Sequence, residues 1–430
     1  MMAWMTSIIF IPFIAVPFYF LIGIRKREPK HKKEYVAFNK EPIHEKYISK
    51  DNNHIVFNIL EKNGIPPATK NNIFELITSS SEAYHKMLEE INQAKYSIEL
   101  CTYIFVFDKT TKVIVEALVK KAQEGVKVRL LLDLVGSLGL YWNQKGFKSL
   151  RDAGGEVAFF TDLLKKPYFN YISLRNHRKI YIFDQQRVLS GGMNLSDEYM
   201  GEDDGTKRYK GLLYYLQGPS VDYFYHIFHS DWNYAVKEEK INYLAQSKEY
   251  KGKDIVQVVP SGPDISTDAL YESLLNAIYS AKTRIWIVTP YFVPDENLIQ
   301  ALVIAHRKGV DVKLITPKDS DHVFVDIVRM SYIRELHSIG VDVLLYKDEI
   351  LHAKAMLIDD IGGMVGSVNL DNRSLFFNYE VVTFVYSSQF IKSMESWMND
   401  LMLNSSRQIE KPSKLREAME NILKVFAPIL

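Results

Sequence analysis

Beyond residue 70 the apolar positions fall into two alternating rhythms. Tyr84 to Lys95 spaces them by three and four, which predicts a helix with one buried face. The stretch after it, YSIELCTYIFV, is rich in β-branched and aromatic residues and predicts a buried strand. The same pair recurs later, with a helix over Tyr271 to Ala281 and a strand over RIWIVTPYFV. In both places a further helix ends on glycine, Gly125 and Gly309, which suits a C-cap. Short alternating strands follow, Val126 to Leu130 and Val310 to Leu314, and another helix and strand centre on Gly155 and Gly340. This order predicts an α/β fold of two domains, each a mixed sheet covered by helices. The turn-forming run Ser261 to Asp264 marks the boundary, giving domains at 71–260 and 261–430.

The first 70 residues follow another pattern. Ala3 to Ile24 carries no charged residue and as a helix would be roughly 33 Å long, enough to cross a hydrocarbon core. Pro12 and Pro17 are tolerated in such a setting. No Lys or Arg precedes the run, which disfavours a cleaved signal peptide, and Arg25, Lys26, Arg27, Lys30, Lys32 and Lys33 follow it. That asymmetry predicts one transmembrane helix with the rest of the chain on the cytoplasmic side. Residues 1–33 are thus read as anchor and basic edge, and 34–70 as a polar connector containing the turn-rich NGIPPAT.

Composition narrows the function classes. A net charge of +1 over 430 residues argues against a strongly basic nucleic-acid binder. Cys101 is the single cysteine, so thiolate metal sites and an intrachain disulfide are excluded, and its apolar surroundings predict a core position.

The polar content concentrates in a repeat. NHRKIYIFDQQRVLSGGMN carries His177, Lys179, Asp184, Gly191, Gly192 and Asn194; LHAKAMLIDDIGGMVGSVN carries His352, Lys354, Asp359, Gly366, Ser367 and Asn369, each 175 positions later. On the strands that both copies predict, His177 shares a face with Lys179 and His352 with Lys354. The glycines permit close backbone approach, and Asn194 and Asn369 offer amide donors. Asp184 and Asp359 fit equally well as turn residues. Metal ligation by the histidines is the weaker alternative, because no ligand cluster accompanies them. Two lysines and two asparagines suit a phosphate and its developing charge, with one imidazole attacking phosphorus and the other protonating the leaving oxygen.

HxKxxxxD followed by GGxN or GSxN, present twice, resembles the phospholipase D superfamily, and the resemblance spans nearly all of the chain after the apolar run. GGMNLSDEYMG, LQGPSV with a following DW, TPYFVPD and LHAKAMLIDD are most similar to the bacterial cardiolipin synthases. The resemblance implies two phospholipase D-like domains related by a pseudo-two-fold axis, one shared active site, and a phosphohistidine intermediate with no metal or other cofactor. It implies His177 as nucleophile and His352 as general acid, then base, with Lys179, Lys354, Asn194, Asn369 and Ser367 holding the phosphate beside Gly192. Asp184 and Asp359 complete the catalytic motifs. The implied reaction joins two phosphatidylglycerol molecules into cardiolipin and glycerol at the inner membrane, with phospholipid and membrane as partners and no nucleic acid. Hydrolysis to phosphatidic acid and a membrane-associated nuclease or phosphodiesterase are the alternatives. The sequence departs from the family in one respect. Glu380 follows the second copy as an acid that orients a histidine, whereas Tyr209-Lys210-Gly211 after the first copy has none, which leaves the support of His177 open.

Two further segments stand out. Lys165, Lys166, Arg175 and Arg178 interleave with Tyr168, Phe169 and Tyr171, a mixture suited to an anionic headgroup or to single-stranded nucleic acid, and equally to a loop with a solvated basic face. Leu415, Met419, Ile422, Leu423 and Phe426 lie at helical spacing and read as core packing, with a membrane contact as the weaker alternative.

Overall fold

The computed structural model describes residues 55–161, 174–237 and 250–424, with isolated positions 8, 12, 13, 16, 33 and 36. The expected membrane span lies almost wholly outside the described residues, as do Lys165, Lys166, Tyr168, Phe169, Tyr171 and Phe426. Among the described residues no helix is long and apolar enough to cross a membrane.

The first half contributes β1 (Thr69–Ile77), β2 (Ser97–Thr102), β3 (Lys127–Leu132), β4 (Glu156–Phe159), β5 (Ile180–Phe183), β6 (Arg187–Gly191) and β7 (Leu213–Gln217). The second contributes β8 (Asp254–Ser261), β9 (Arg284–Val288), β10 (Phe292–Val293), β11 (Asp311–Pro317) and β12 (Asp342–Tyr346). It continues with β13 (Ala355–Ile358), β14 (Gly362–Gly366), β15 (Leu370–Asp371), β16 (Glu380–Val385) and β17 (Ser405–Ser406). Fifteen of these form one sheet, in the order β17-β12-β11-β9-β13-β14-β16-β8-β1-β7-β6-β5-β2-β3-β4.

Outward from the central β8–β1 pair, the two arms have the same connectivity. β7, β6, β5, β2, β3 and β4 on one side match β16, β14, β13, β9, β11 and β12 on the other. Each arm runs antiparallel near the centre and parallel at the outside. The separate mixed sheets expected from the sequence are therefore joined. β1 and β8 pair antiparallel through Thr69 with Val256 and Asn72 with Asp254, which closes an edge that each half would otherwise expose.

Local chemistry explains the element ends. Asp108 caps helix Lys109–Gln123 by accepting from Thr111 N–H, and Asp295 does the same for Glu296–Arg307 through Leu298. Gly125 and Gly309 take φ of 88° just after these helices, the left-handed stop that their sequence position predicts. β2 is buried along its whole length and β3 at all but its first residue, covered by helices and by their neighbouring strands, so their apolar side chains divide between two core clusters. Cys101 lies in the larger of the two.

The connector is more than a spacer. Residues Ile55–Lys62 form a helix that packs on helix Ala269–Ser280, with Leu60 and Ile65 buried in the core. The C-terminal helix Lys414–Lys424 departs from expectation as well. Leu415, Met419 and Ile422 are exposed, and Leu423 is the apolar residue that packs inward.

Candidate active site

β5 and β13 begin one residue after Lys179 and Lys354, so each histidine stands just outside the start of a central strand. The two segments then dock across the halves. His177 N–H donates to Tyr379 O at 2.9 Å, and His352 N–H donates to Lys210 O at 2.9 Å. This crossing brings both imidazoles, Asn194 and Asn369 into the wall of one cavity of about 440 Å³.

His177 is held by a carboxylate from the opposite half. Its Nδ1 lies 2.9 and 3.0 Å from the Glu380 oxygens, and its ring meets Tyr103 edge-on at 4.9 Å. With Nδ1–H donating to Glu380, Nε2 keeps its lone pair. Burial, reinforced by Lys179 and Lys354, holds His177 well below its ordinary pKa, so the ring is neutral near neutral pH. Burial also pushes the Glu380 carboxyl up to about 7, against the pull of Lys179.

His352 has different company. It is buried and likewise shifted well below its ordinary value, by burial and then by Lys354 and Lys179. Lys354 Nζ lies 2.8 Å from its Nδ1, and the rings of Tyr199, Tyr209 and Tyr291 surround it at 5.2, 5.9 and 6.2 Å. The crossed backbone bonds make Gly211 the counterpart of Glu380, because each follows the residue whose carbonyl receives a histidine N–H. A Cβ at Gly211 would stand 2.8 Å from Met193 Cγ, so a side chain there would have to displace Met193. The sequence reading therefore assigned the missing acid to the wrong histidine: Glu380 serves His177, and His352 is the one facing Gly211.

The remaining motif residues divide between site and scaffold. Lys179 Nζ donates to His177 O at 2.7 Å and Lys354 Nζ to His352 O at 2.7 Å, which fixes both ammoniums beside the rings. Burial lowers Lys179 to about 7 and Lys354 well below its ordinary value. An incoming phosphate reverses that loss by supplying the opposite charge. Asn194 accepts from Ile104 N–H, while its Nδ2 is buried and unpaired among the described residues, a donor available to an anion. Asn369 Nδ2 donates to Ser374 Oγ, and its Oδ1 is buried and unpaired among the described residues. Gly192 is needed for closeness, since a Cβ there would stand 3.3 Å from His352 O. The Ser367 hydroxyl exchanges bonds with Val381 and pins the strand that begins at Glu380.

Asp184 and Asp359 are not brought into the cavity. They stand at the far ends of β5 and β13, seven residues beyond the histidines and separated from them by the whole length of each strand. Asp184 accepts from the N–H groups of Lys95, Tyr96 and Ser97, and Asp359 from those of Lys282, Thr283 and Arg284. Each ties the start of a neighbouring strand, with φ of 54° and 47° as in a tight turn.

Two basic residues were also misplaced by the sequence. Arg178 does not line the approach; it is fully buried and bonds Asp231 at 2.8 Å and Asp264 at 3.0 Å. Lys33, read as part of the membrane edge, is buried with its Nζ 2.5 Å from both carboxylates. Burial raises Asp264, but Arg178 and Lys33 overcome it and leave the carboxyl below its ordinary value. Arg178 Nε also donates to Glu380 O at 3.0 Å, and Asn176 Nδ2 donates to Asp231 at 2.9 Å. This network underlies His177. Alternation alone could not reveal it, because Asp231 sits within the aromatic helix Val221–Val236.

Among the described residues no group of three His, Cys, Asp or Glu could hold a metal ion. The arrangement can bind a phosphodiester, attack it with one neutral imidazole and move a proton with the other.

Comparison with known proteins bears on the family and the fold. The family model described as cardiolipin synthase, PLD-like domain, matches residues 87–232 and 274–402. The whole chain is 32% identical to the major cardiolipin synthase ClsA of Bacillus subtilis (strain 168), covering 93% of that protein. It is 32% identical to the cardiolipin synthase of Clostridium perfringens (strain SM101 / Type A), covering 94%. The crystal structure of phosphatidylserine synthase from Haemophilus influenzae Rd KW20 shares the fold, with a TM-score of 0.64 and 16% identity over 87% of this chain and 100% of that one.

Proposed function

The chain belongs to the phospholipase D-like cardiolipin synthase family, and from that premise we propose that it transfers a phosphatidyl group between two phosphatidylglycerol molecules. The observation that carries this reading is the crossed His177–Glu380 pair, which leaves one imidazole nucleophilic at Nε2.

His177 Nε2 attacks phosphorus and a P–N bond forms as the P–O bond to glycerol breaks. The negative phosphate offsets Lys354 and Lys179 and lets His352 take up a proton, which it gives to the departing oxygen as glycerol leaves. Neutral His352 then takes the proton from a hydroxyl of the second phosphatidylglycerol, whose oxygen displaces His177. Cardiolipin forms and the enzyme returns to its starting state. Lys179, Lys354 and Asn194 hold the phosphate oxygens with donors already in place, and Asn369 joins them by turning its amide so that Nδ2 faces the phosphate. The two rings differ in support, since Glu380 accepts from His177 Nδ1–H and leaves Nε2 free to attack, while His352 stands beside Lys354 and tyrosines with no carboxylate of its own among the described residues. The apolar run Ala3 to Ile24 anchors the enzyme in the cell inner membrane, with the catalytic body on the cytoplasmic side.

Full-length protein in detergent, given phosphatidylglycerol labelled in its headgroup, tests the proposal. Cardiolipin and free glycerol in equal amounts are expected. Phosphatidic acid with glycerol and no cardiolipin would show that water is the acceptor and that the enzyme is a phospholipase.

A further inference from the structure

The C-terminal helix Lys414–Lys424 lies against helix Val323–Ile339 and runs the opposite way. Glu420 is buried and pairs with Arg334, and Lys424 lies 4.5 Å over the Tyr332 ring. Leu423 packs with Val325, Val293 and Val328. Val293 and Val325 also line the cavity that holds the two histidines, so the last turn of this helix sits at the cavity wall.

Among the described residues nothing covers the outward face of the helix. Leu415, Met419 and Ile422 follow one another at four- and three-residue spacing and make a single stripe, with Leu415 75% and Ile422 63% exposed. At the start of the partner helix, Val323 is 75% exposed and Phe324 42%, and both line the cavity. An apolar lip at the mouth thus continues outward as an apolar stripe. Large side chains concentrated in one place on a surface mark an interaction site.

We propose that this face lies in the surface of the lipid bilayer and delivers the substrate headgroup to the cavity while its acyl chains remain in the membrane. The inference rests on the reading of the substrate as a phospholipid, and goes beyond it by assigning the surface that receives it. The occupant follows from the continuity of stripe and cavity. Withdrawing two long acyl chains into water is prohibitive, so a lipid enters only if the mouth meets the bilayer directly. An amphipathic helix beside the mouth, with its charged side tied down by Arg334 and Glu335, is built to hold that contact.

The test uses the full chain reconstituted in vesicles containing phosphatidylglycerol. Ile422→Cys, Met419→Cys and Val323→Cys are each labelled with a polarity-sensitive fluorophore, which the buried Cys101 leaves uncontested. Tyr96→Cys, at the strand ends opposite the histidines, is the control. The first three labels should brighten at least twofold and be quenched by nitroxides placed on acyl chains, while the control is not. Labels as wet as the control would overturn the proposal. So would brightening that grows with protein concentration and ignores the lipid quencher, because a second copy would then cover the face.

A functional arm separates this inference from the reaction itself. Leu415→Ser, Met419→Ser and Ile422→Ser combined should lower kcat/KM for long-chain phosphatidylglycerol in vesicles at least tenfold, and leave turnover of a water-soluble short-chain analogue unchanged. Equal loss on both substrates, or on neither, would overturn it. A wild-type enzyme that turns over neither substrate would refute the proposed reaction, while the fluorescence would still decide the face.

Discussion

Glu380 reaches across the molecule to His177, 203 positions earlier, and places a carboxylate oxygen 2.9 Å from the ring Nδ1. The corresponding position beside His352 is Gly211, closed by Met193. The two copies of the motif are therefore unequal, one histidine holding a carboxylate partner and the other surrounded by tyrosines.

Glu380→Gln keeps the shape of the pair and removes its charge. We expect kcat to fall about 100-fold, as for other partners that orient a histidine, with a smaller change in KM. Steady-state kinetics checks this. Gly211→Glu should not create a second supported histidine; the collision with Met193 makes it lower the thermal midpoint instead.

The titrating groups set the pH profile. His177 needs ionised Glu380, whose pKa of about 7 makes activity fall as pH drops through that value. The phosphate needs protonated Lys179, also at about 7, so activity falls again as pH rises. A narrow bell centred near 7 is expected for kcat/KM, which reports the free enzyme. Bound phosphate raises both values, so both limbs of the kcat profile should lie at higher pH. A flat kcat/KM between pH 6 and 8 would contradict the assignment.

Lys33 offers a test of the buried network. Lys33→Met leaves Asp231 and Asp264 with one cation in place of two, and should cost about 3 kcal/mol of stability. Adding Asp264→Asn restores the charge balance, so the double variant should lose less than the sum of the single ones. Denaturant unfolding in detergent measures each value.

The motif aspartates should behave as scaffold. Asp184→Ala and Asp359→Ala remove acceptors for three backbone N–H groups each and should lower the thermal midpoint. The folded fraction should keep kcat within a few-fold of wild type, whereas Lys179→Ala should lose at least 100-fold.

Periodicity exposed the elements because each strand and helix buries a local apolar pattern, and Gly125 and Gly309 mark their ends in the chain itself. The motif likewise exposed His177, Lys179, His352, Lys354 and the asparagines. What it could not show was who faces whom. Glu380 follows the second copy in sequence yet serves the first, because docking crosses the halves through Tyr379 and Lys210. Lys33 and Arg178 read as solvent-facing charge, since their carboxylate partners are 198 to 231 and 53 to 86 positions away. The stripe on helix Lys414–Lys424 has the period of a core face, and only the position of its neighbour shows that it points outward.

The account turns on which histidine attacks phosphorus. Enzyme mixed with phosphatidylglycerol, quenched within its first turnovers under alkaline conditions and digested, should carry the phosphatidyl group on the peptide containing His177. An adduct on the peptide containing His352, or none in an enzyme that makes cardiolipin, would contradict it.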